Sequence, residues 1–274
     1  MSEDFLATMA ASSRARVLQA RAALPERELR SKAADSAPAP KLSLTGKFDL
    51  IAEVKLRSPA AGQLKRQDED LGARVAGYAQ AGAASISVLT EPTRFDGSLA
   101  HLTQAATTLG DSIPVMRKDF LVDAYQVHEA RAAGAGGVLI ILRMLGRAQL
   151  RSLIDAAAEQ RLFCLLEAFD ETDLQLAVEL VREFASQARL LVGVNCRDLV
   201  TLKVVPGRLE ALAPRMPDNV PRVAESGVAS AADAAHLVRS GFDMALVGSA
   251  LMQASDPLLL ATSMLSAGRA AACG

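Results

Sequence analysis

Short apolar, β-branched segments recur along most of the chain, at residues 50–56, 85–90, 114–118, 137–142, 163–168, 190–195, 221–225 and 244–248. Each has the length of a buried strand rather than of a helix. The stretches between them, among them LGARVAGYAQAG, DAYQVHEARAAG, RAQLRSLIDAAAEQ and ETDLQLAVELVREFA, carry apolar residues at helical spacing and are rich in alanine. Gly82, Gly134 and Gly241 each stand between a helical stretch and the next strand, where a left-handed cap is needed. Strand–helix units of about 25 to 30 residues, repeated eight times, predict an α/β fold, a (β/α)8 TIM barrel, whose sites lie at the C-terminal ends of the strands. A doubly wound open sheet is the alternative. It would place a G-x-G-x-x-G turn after the first strand, and EVKLRSPAAG is not one.

The first 45 residues break the rhythm. Residues 3–33 have helical composition and the Pro/Ala/Ser-rich ADSAPAPKLSLTG follows. We therefore expect a helical extension and connector over residues 1–45, with one or two helices outside the barrel, and a catalytic barrel over 46–274. The arginines of SSRARVLQARAALPERELRSKA read as a solvated face.

Composition narrows the function. The chain has 274 residues, is 50% hydrophobic and carries a formal net charge of -1, which gives no reason to expect a nucleic-acid partner. Apolar runs such as 138–142 stop at Arg143, far short of the roughly 20 residues of a membrane span, and no signal-peptide pattern opens the sequence. The expectation is a cytoplasmic protein, a monomer or at most a weak homodimer, without membrane attachment. Cys164, Cys196 and Cys273 lack metal-ligand spacing, so neither a disulfide framework nor a metal site is expected.

A barrel demands polar residues where its strands end. In IAEVKLRSP the alternation of an extended chain puts Ile51, Glu53 and Lys55 on one face, so two opposite charges share a surface that would otherwise be core. Ser58 follows. Other predicted strands end in Arg117, Lys118 and Asp119, in Glu167, in Asn195 and Arg197, in Glu225 and Ser226, and in Gly248 and Ser249. Any one of these reads equally well as a structural ion pair or turn residue. Together they collect carboxylates, lysines, an arginine and an asparagine at one mouth, a costly arrangement to bury without function. The SGV and GSAL turns, with Gly227, Gly248 and Ser249, offer backbone N–H groups to a phosphate. Arg197 is suited to a second anion. Closely packed lysines and glutamates shift one another's pKa values, which fits acid/base chemistry on a phosphorylated small molecule with no cofactor.

The segments IAEVKLRSP, SVLTEPTRFDGSL, PVMRKDFLVDAYQVHEARAAGA, LLEAFDE, VGVNCRDL and VAESGV with FDMALVGSALMQASDP resemble, in order, indole-3-glycerol phosphate synthases over about residues 49–258. The resemblance implies a carbon–carbon carboxy-lyase of tryptophan biosynthesis. Its substrate would be 1-(2-carboxyphenylamino)-1-deoxyribulose 5-phosphate, which closes to indole-3-glycerol phosphate with loss of carbon dioxide and water. It implies Lys118 as the general acid at the ketone, and Glu167, Glu53 and Lys55 in further proton transfers, with no ranking among them. Asn195, Arg197 and Ser58 would orient hydroxyls and the departing carboxylate. Gly227, Gly248 and Ser249 would take the phosphate, Glu225 and Ser226 would line the site, and Phe95, Phe120 and Leu139 would enclose the anthranilate ring.

The chain departs from that pattern at Ala60 and Ala61, where the family usually has a basic residue, at Phe169 in place of a frequent histidine, and at Cys196. Those differences leave room for the same chemistry in a dedicated secondary pathway. The neighbouring isomerase of tryptophan biosynthesis is disfavoured, since it characteristically uses a cysteine at the end of the first strand and an aspartate at the sixth, where this chain has Glu53 with Lys55 and Asn195. A Schiff-base aldolase acting through Lys118 and a non-catalytic scaffold are the remaining competitors.

Overall fold

The computed structural model describes residues 5–59, 62–64 and 70–273. Eight parallel strands close into a barrel: β1 (Asp49–Val54), β2 (Ser85–Leu89), β3 (Val115–Lys118), β4 (Gly137–Ile141), β5 (Phe163–Ala168), β6 (Arg189–Asn195), β7 (Arg222–Glu225) and β8 (Met244–Val247). β1 pairs with both β2 and β8, so no strand edge is left open. All eight fall within two residues of the segments read from the apolar pattern. The first stops earlier than expected, at Val54, and Arg57–Ser58 instead pairs antiparallel with Gly62–Gln63. Ala60 and Ala61 lie outside the described residues.

Alternation along each strand sorts side chains into two layers. Ile51, Met116, Leu139, Phe163, Leu165, Leu191, Val223 and Met244 form one buried cluster inside the barrel. Leu50, Ala52, Val54, Ile86, Val88, Val138, Ile140 and Val192 belong to another, between the strands and the helices. Both clusters exclude water along the full strand length, which is why the strands read as continuous apolar runs. Gly137 is one place where the interior needs a glycine, because a Cβ there would stand 2.4 Å from the Phe163 ring that fills the barrel.

The helices begin where side chains can cap them. The carboxylates of Asp70, Asp123, Asp170 and Asp256 and the hydroxyls of Ser98 and Ser230 accept first-turn N–H groups of α3 (Leu71–Gln80), α6 (Ala124–Ala132), α8 (Glu171–Phe184), α12 (Pro257–Ala271), α5 (Leu99–Leu109) and α10 (Ala231–Arg239). α7 (Arg147–Glu159) and α9 (Arg208–Leu212) complete the ring. Two short helices, α4 (Pro92–Phe95) and α11 (Ser249–Gln253), follow β2 and β8. Gly82, Gly134 and Gly241 do adopt positive φ, near +95°, +91° and +93°.

Two helices precede the barrel, α1 (Phe5–Ala23) and α2 (Glu26–Asp35). Arg14, Arg27 and Arg30 form the solvated face expected from composition, but Arg16 and Arg21 do not. Arg16 makes a two-pronged contact to buried Asp119, at 2.8 and 2.9 Å, and Arg21 bonds Asp123 and Glu26. Tyr125 donates its hydroxyl to the carbonyls of Ala20 and Leu24, and Gln126 donates to Ser13. Helical spacing alone did not reveal this seam because the barrel partners Asp119, Asp123, Tyr125 and Gln126 lie about a hundred residues away in sequence. Met9 meanwhile packs with the interior cluster of the barrel.

Asp119 gives the seam a pH signature. Burial would raise its pKa, but the Arg16 contact, with Arg117 and Thr90, brings it down from 3.8 to about 2. The resulting stability is fully present above about pH 4 and is lost as pH falls through 2, and at about 1.4 kcal/mol per unit it is of order 2 kcal/mol. Urea unfolding of the native protein and of Asp119→Asn should therefore give a stability gap at pH 6 that narrows steadily toward pH 2. A gap independent of pH would show that Asp119 is not the group concerned.

Candidate active site

The strand ends converge on one cavity of about 1010 Å³, counted out to its open mouth. Every residue nominated from the sequence lines it: Glu53, Lys55 and Ser58 from the first βα unit, Phe95 after β2, Lys118 and Phe120 at β3, Leu139 on β4, Glu167 on β5, Asn195 and Arg197 at β6, Glu225, Ser226 and Gly227 at β7, and Gly248 and Ser249 at β8. One member of the strand-end set faces elsewhere. Arg117 alternates with inward Met116 and Lys118, so it turns out between β3 and α6, where it bonds Asp119 and Glu129.

Glu53 sits at the centre of the charge pattern. Its Oε1 is 2.7 Å from Lys55 Nζ and its Oε2 is 3.8 Å from Lys118 Nζ. Burial alone would raise the Glu53 pKa, but the two ammonium groups, Lys55 first, hold it below the ordinary carboxylate range. Lys118 shows the reverse. Burial works against its charge, while Glu53, Glu167 and Glu225 more than offset that and leave its pKa above the usual lysine value. A protonated lysine is thus held deep in the mouth at neutral pH.

Across the cavity stands a pair of carboxyl groups. Glu167 accepts from Asn195 Nδ2 at 2.6 Å, and Asn195 accepts the Arg197 N–H at 2.9 Å, which fixes the amide orientation. Neither oxygen of fully buried Glu225 receives a hydrogen bond from another group. Burial first, then the neighbouring Glu167, pushes the Glu225 pKa well above its ordinary value, with Lys118 working in the opposite direction.

Two inward glycines make room for these charges. Gly193 is the β6 residue in register with Glu167, and a Cβ there would lie 2.1 Å from Glu225 Oε1. A Cβ at Gly248 would lie 2.2 Å from Glu53 Oε1 and 3.0 Å from Lys55 Nζ. Sequence reasoning missed Gly193. The available signal was a glycine inside an apolar strand, where close approach of another group is a standing reason for one. At the other side of the mouth Ser226 and Gly227 take successive left-handed conformations, with φ of 69° and 74°, and α11 begins just after Gly248. Serine has no intrinsic preference for that region, and such strain clusters where a chain is shaped for a ligand.

The third wall is apolar and aromatic. Phe95 and Phe120 have ring centroids 6.1 Å apart, and Phe5 of α1 meets Phe120 edge-on at 5.8 Å. Leu6, Ile141, Leu199 and Leu202 also line the cavity. Phe5 and Leu6 come from the extension and were not foreseen, because nothing in residues 1–45 marks them as different from ordinary helix-packing residues. Phe169 faces the same space, with the Arg143 guanidinium 4.7 Å above its ring and held there by Asp170 and Asp173. Among the described residues no group of acidic, histidine and cysteine side chains could hold a metal ion.

The family model described as indole-3-glycerol phosphate synthase matches residues 6–263. The chain belongs to the indole-3-glycerol phosphate synthase family. Proteins of that name from Nocardioides sp. strain JS614 and from Leifsonia xyli subsp. xyli are 46% and 42% identical to it, the first over 76% of each chain and the second over 94% of this chain and 96% of its relative. Among solved structures, a thiamine phosphate pyrophosphorylase from Pyrococcus furiosus superposes with a TM-score of 0.57 at 16% identity over 82% of this chain and 96% of its own. An orotidine 5'-phosphate decarboxylase from Pyrococcus horikoshii does so with the same score at 13% identity over 81% and 99%. These two likenesses are of fold alone. The family model and the relatives of that name make this chain a carboxy-lyase.

The carboxyl pair is directly observable. Infrared spectra followed as pH rises should show a protonated carboxylic acid band that persists above the ordinary carboxylate range and disappears in Glu225→Gln. Gly193→Ala should fold but displace the Glu225 carboxyl and move that band; an unaltered spectrum in both variants would refute the raised Glu225 pKa.

Proposed function

We propose that this chain converts 1-(2-carboxyphenylamino)-1-deoxyribulose 5-phosphate to indole-3-glycerol phosphate, with Lys118 as the general acid. The observation that carries the reading is the Lys118 ammonium, held protonated beside Glu53 at the floor of a cavity that is aromatic on one side and lined by backbone N–H turns on another. The substrate has an aryl end and a phosphate end, and those two walls match it. Phe95, Phe120 and Leu139 enclose the ring, while Gly227, Gly248 and Ser249 hold the phosphate. Arg197 lies within reach of the departing carboxylate.

In the first step the ring carbon bearing the carboxylate attacks the ketone carbon, and Lys118 gives its proton to the ketone oxygen as the new carbon–carbon bond forms. The carbon–carboxylate bond then breaks, its electron pair restores the aromatic ring, and carbon dioxide leaves. In the second step the hydroxyl formed from the ketone departs as water. One group must protonate it and another must take a proton from the ring system. Glu167, partnered by Asn195, and the Glu53–Lys55 pair are the groups placed for that exchange. Ser58 and Ser226 line the remaining polar surface.

Supporting the catalytic over the scaffold reading, the acid/base set is complete and buried, whereas a docking surface needs exposure. Large apolar side chains that are exposed among the described residues are scattered, at Leu18 on α1, at Val200 and Val204 after β6, and at Leu258 and Leu259 on α12. We read the protein as a cytoplasmic monomer or weak homodimer, with residues 1–45 as an extension on the catalytic barrel 46–274. No helix among the described residues is long and apolar enough to cross a membrane.

Incubation with the carboxyphenylamino ribulose phosphate should release carbon dioxide and develop indole fluorescence. Lys118→Met should lower kcat by about a thousandfold or more, the usual scale of general acid loss, while KM changes little. Because the Lys118 pKa is raised, kcat should hold on the alkaline side of neutrality and fall only at strongly alkaline pH as the ammonium deprotonates. No turnover at micromolar enzyme would overturn the assignment, and a covalent adduct trapped by borohydride on Lys118 would favour Schiff-base chemistry instead.

A further inference from the structure

The residue next to Lys118 is held far more tightly than the proposed chemistry requires. Asp119 has a fully buried side chain. Its Oδ1 accepts from Arg16 Nη2 and from the Phe120 N–H, both at 2.8 Å. Its Oδ2 accepts from the Thr90 hydroxyl at 2.7 Å, from Arg16 Nη1 at 2.9 Å and from Arg117 Nη2 at 3.2 Å. Arg117 in turn donates to Glu129 Oε2 at 3.1 Å, to the Gln126 carbonyl at 2.7 Å and, through Nε, to Thr90 Oγ1 at 3.2 Å. Two guanidinium groups therefore face two carboxylates, and the buried cluster is neutral only with Arg16 in place.

Arg16 is the member of this cluster that comes from α1 rather than from the barrel. It acts on a short peptide with functional groups on both sides. Lys118, on one side of Asp119, supplies the ammonium near Glu53; Phe120, on the other, supplies the ring that meets Phe95 and Phe5. Holding the middle residue through both oxygens fixes the origin of both neighbours. A two-pronged guanidinium contact sets direction as well as distance, which a single charge would not. α1 is also seated by Phe5 against Phe120, so its position is registered twice on the same three-residue stretch.

We propose that Arg16 is a positioning residue for the reaction: by clamping Asp119 it sets where the Lys118 ammonium and the Phe120 ring stand relative to each other, so that docking of α1 and alignment of the acid with the bound aryl ketone are one event. This inference rests on Lys118 acting as the acid. A purely structural clamp would instead affect unfolding and leave the chemistry of the folded enzyme alone.

The test is the pH dependence of kcat and KM for the full-length wild type, Arg16→Ala, Arg16→Lys, Thr90→Val and Lys118→Met, with a melting curve for each. A 1 Å displacement of a catalytic group costs up to about a hundredfold, so folded Arg16→Ala should lose about ten- to a hundredfold in kcat, with a much smaller change in KM. The groups facing Lys118 are Glu53, Glu167, Glu225 and Arg197, with Lys55 behind Glu53. Loosening the peptide moves the ammonium away from Glu53, so the alkaline limb of kcat should shift to lower pH. Arg16→Lys should recover part of the loss, because it restores the charge without the two-pronged contact. Thr90→Val removes one Asp119 donor without touching α1 and should shift kcat and the limb in the same directions by less; it decides the matter if Arg16→Ala does not fold. Wild-type kcat and an unmoved limb in folded Arg16→Ala, or in Thr90→Val when the alanine variant is unfolded, would overturn the positioning role. Lys118→Met with near-normal kcat would overturn the acid assignment instead, so the two failures are distinguishable.

Discussion

The ion pair between Glu53 and Lys55, with Lys118 a little further off, is the constraint around which the mouth of this barrel is organised. A lone buried carboxylate would take up a proton, and a lone buried ammonium would lose one. Set together at the ends of β1 and β3, Glu53 and Lys118 favour each other's charged form. That mutual charging is what allows an acid of lysine type to remain loaded inside a cavity whose other walls are apolar. The barrel supplies the geometry through register: residues at strand ends point inward in turn, and a glycine stands at Gly193 and at Gly248 where two carboxylates need the space.

The opposite side of the mouth follows the contrary logic. Glu225 receives no hydrogen bond from a donor, and Glu167 already has Asn195. Burial and the neighbouring Glu167 push the Glu225 pKa up, while Lys118 works the other way. Glu53 is held below its ordinary value and Glu225 above it, set by environment and not by residue type. Such separation of pKa values is how one fold assigns acid and base roles to chemically identical groups.

Most of this was legible in the sequence because a parallel barrel is locally encoded. Strand and helix alternate, each strand is apolar on both faces, and caps such as Asp123, Asp170 and Ser230 lie at the helix starts. Strand ends then give the inward charges almost without further information. What was not legible depends on contacts between distant parts of the chain. The Arg16–Asp119 and Arg21–Asp123 contacts tie to the barrel two arginines that look like surface, and leave both only partly exposed. Phe5 and Leu6 reached the aromatic wall for the same reason, and Arg117 was drawn to the wrong face by its neighbours in the motif. Gly193 has a purely negative role, and a missing side chain carries little pattern.

The docking of α1 bears on the order in which the molecule can be assembled. Arg16 and Asp119 are separated by 103 positions, whereas most strand pairings in the barrel join successive units. α1 is made before the barrel, yet Arg16 and Arg21 have no Asp119 or Asp123 to bind until β3 and the start of α6 have been made and placed. Loop closure over that distance must be repaid by the seam itself, so long-range contacts of this kind form late and slow the final stage of folding. A helix made before the barrel is in this sense a closing piece, and a nascent chain halted before residue 119 would carry Arg16 and Arg21 without their partners Asp119 and Asp123.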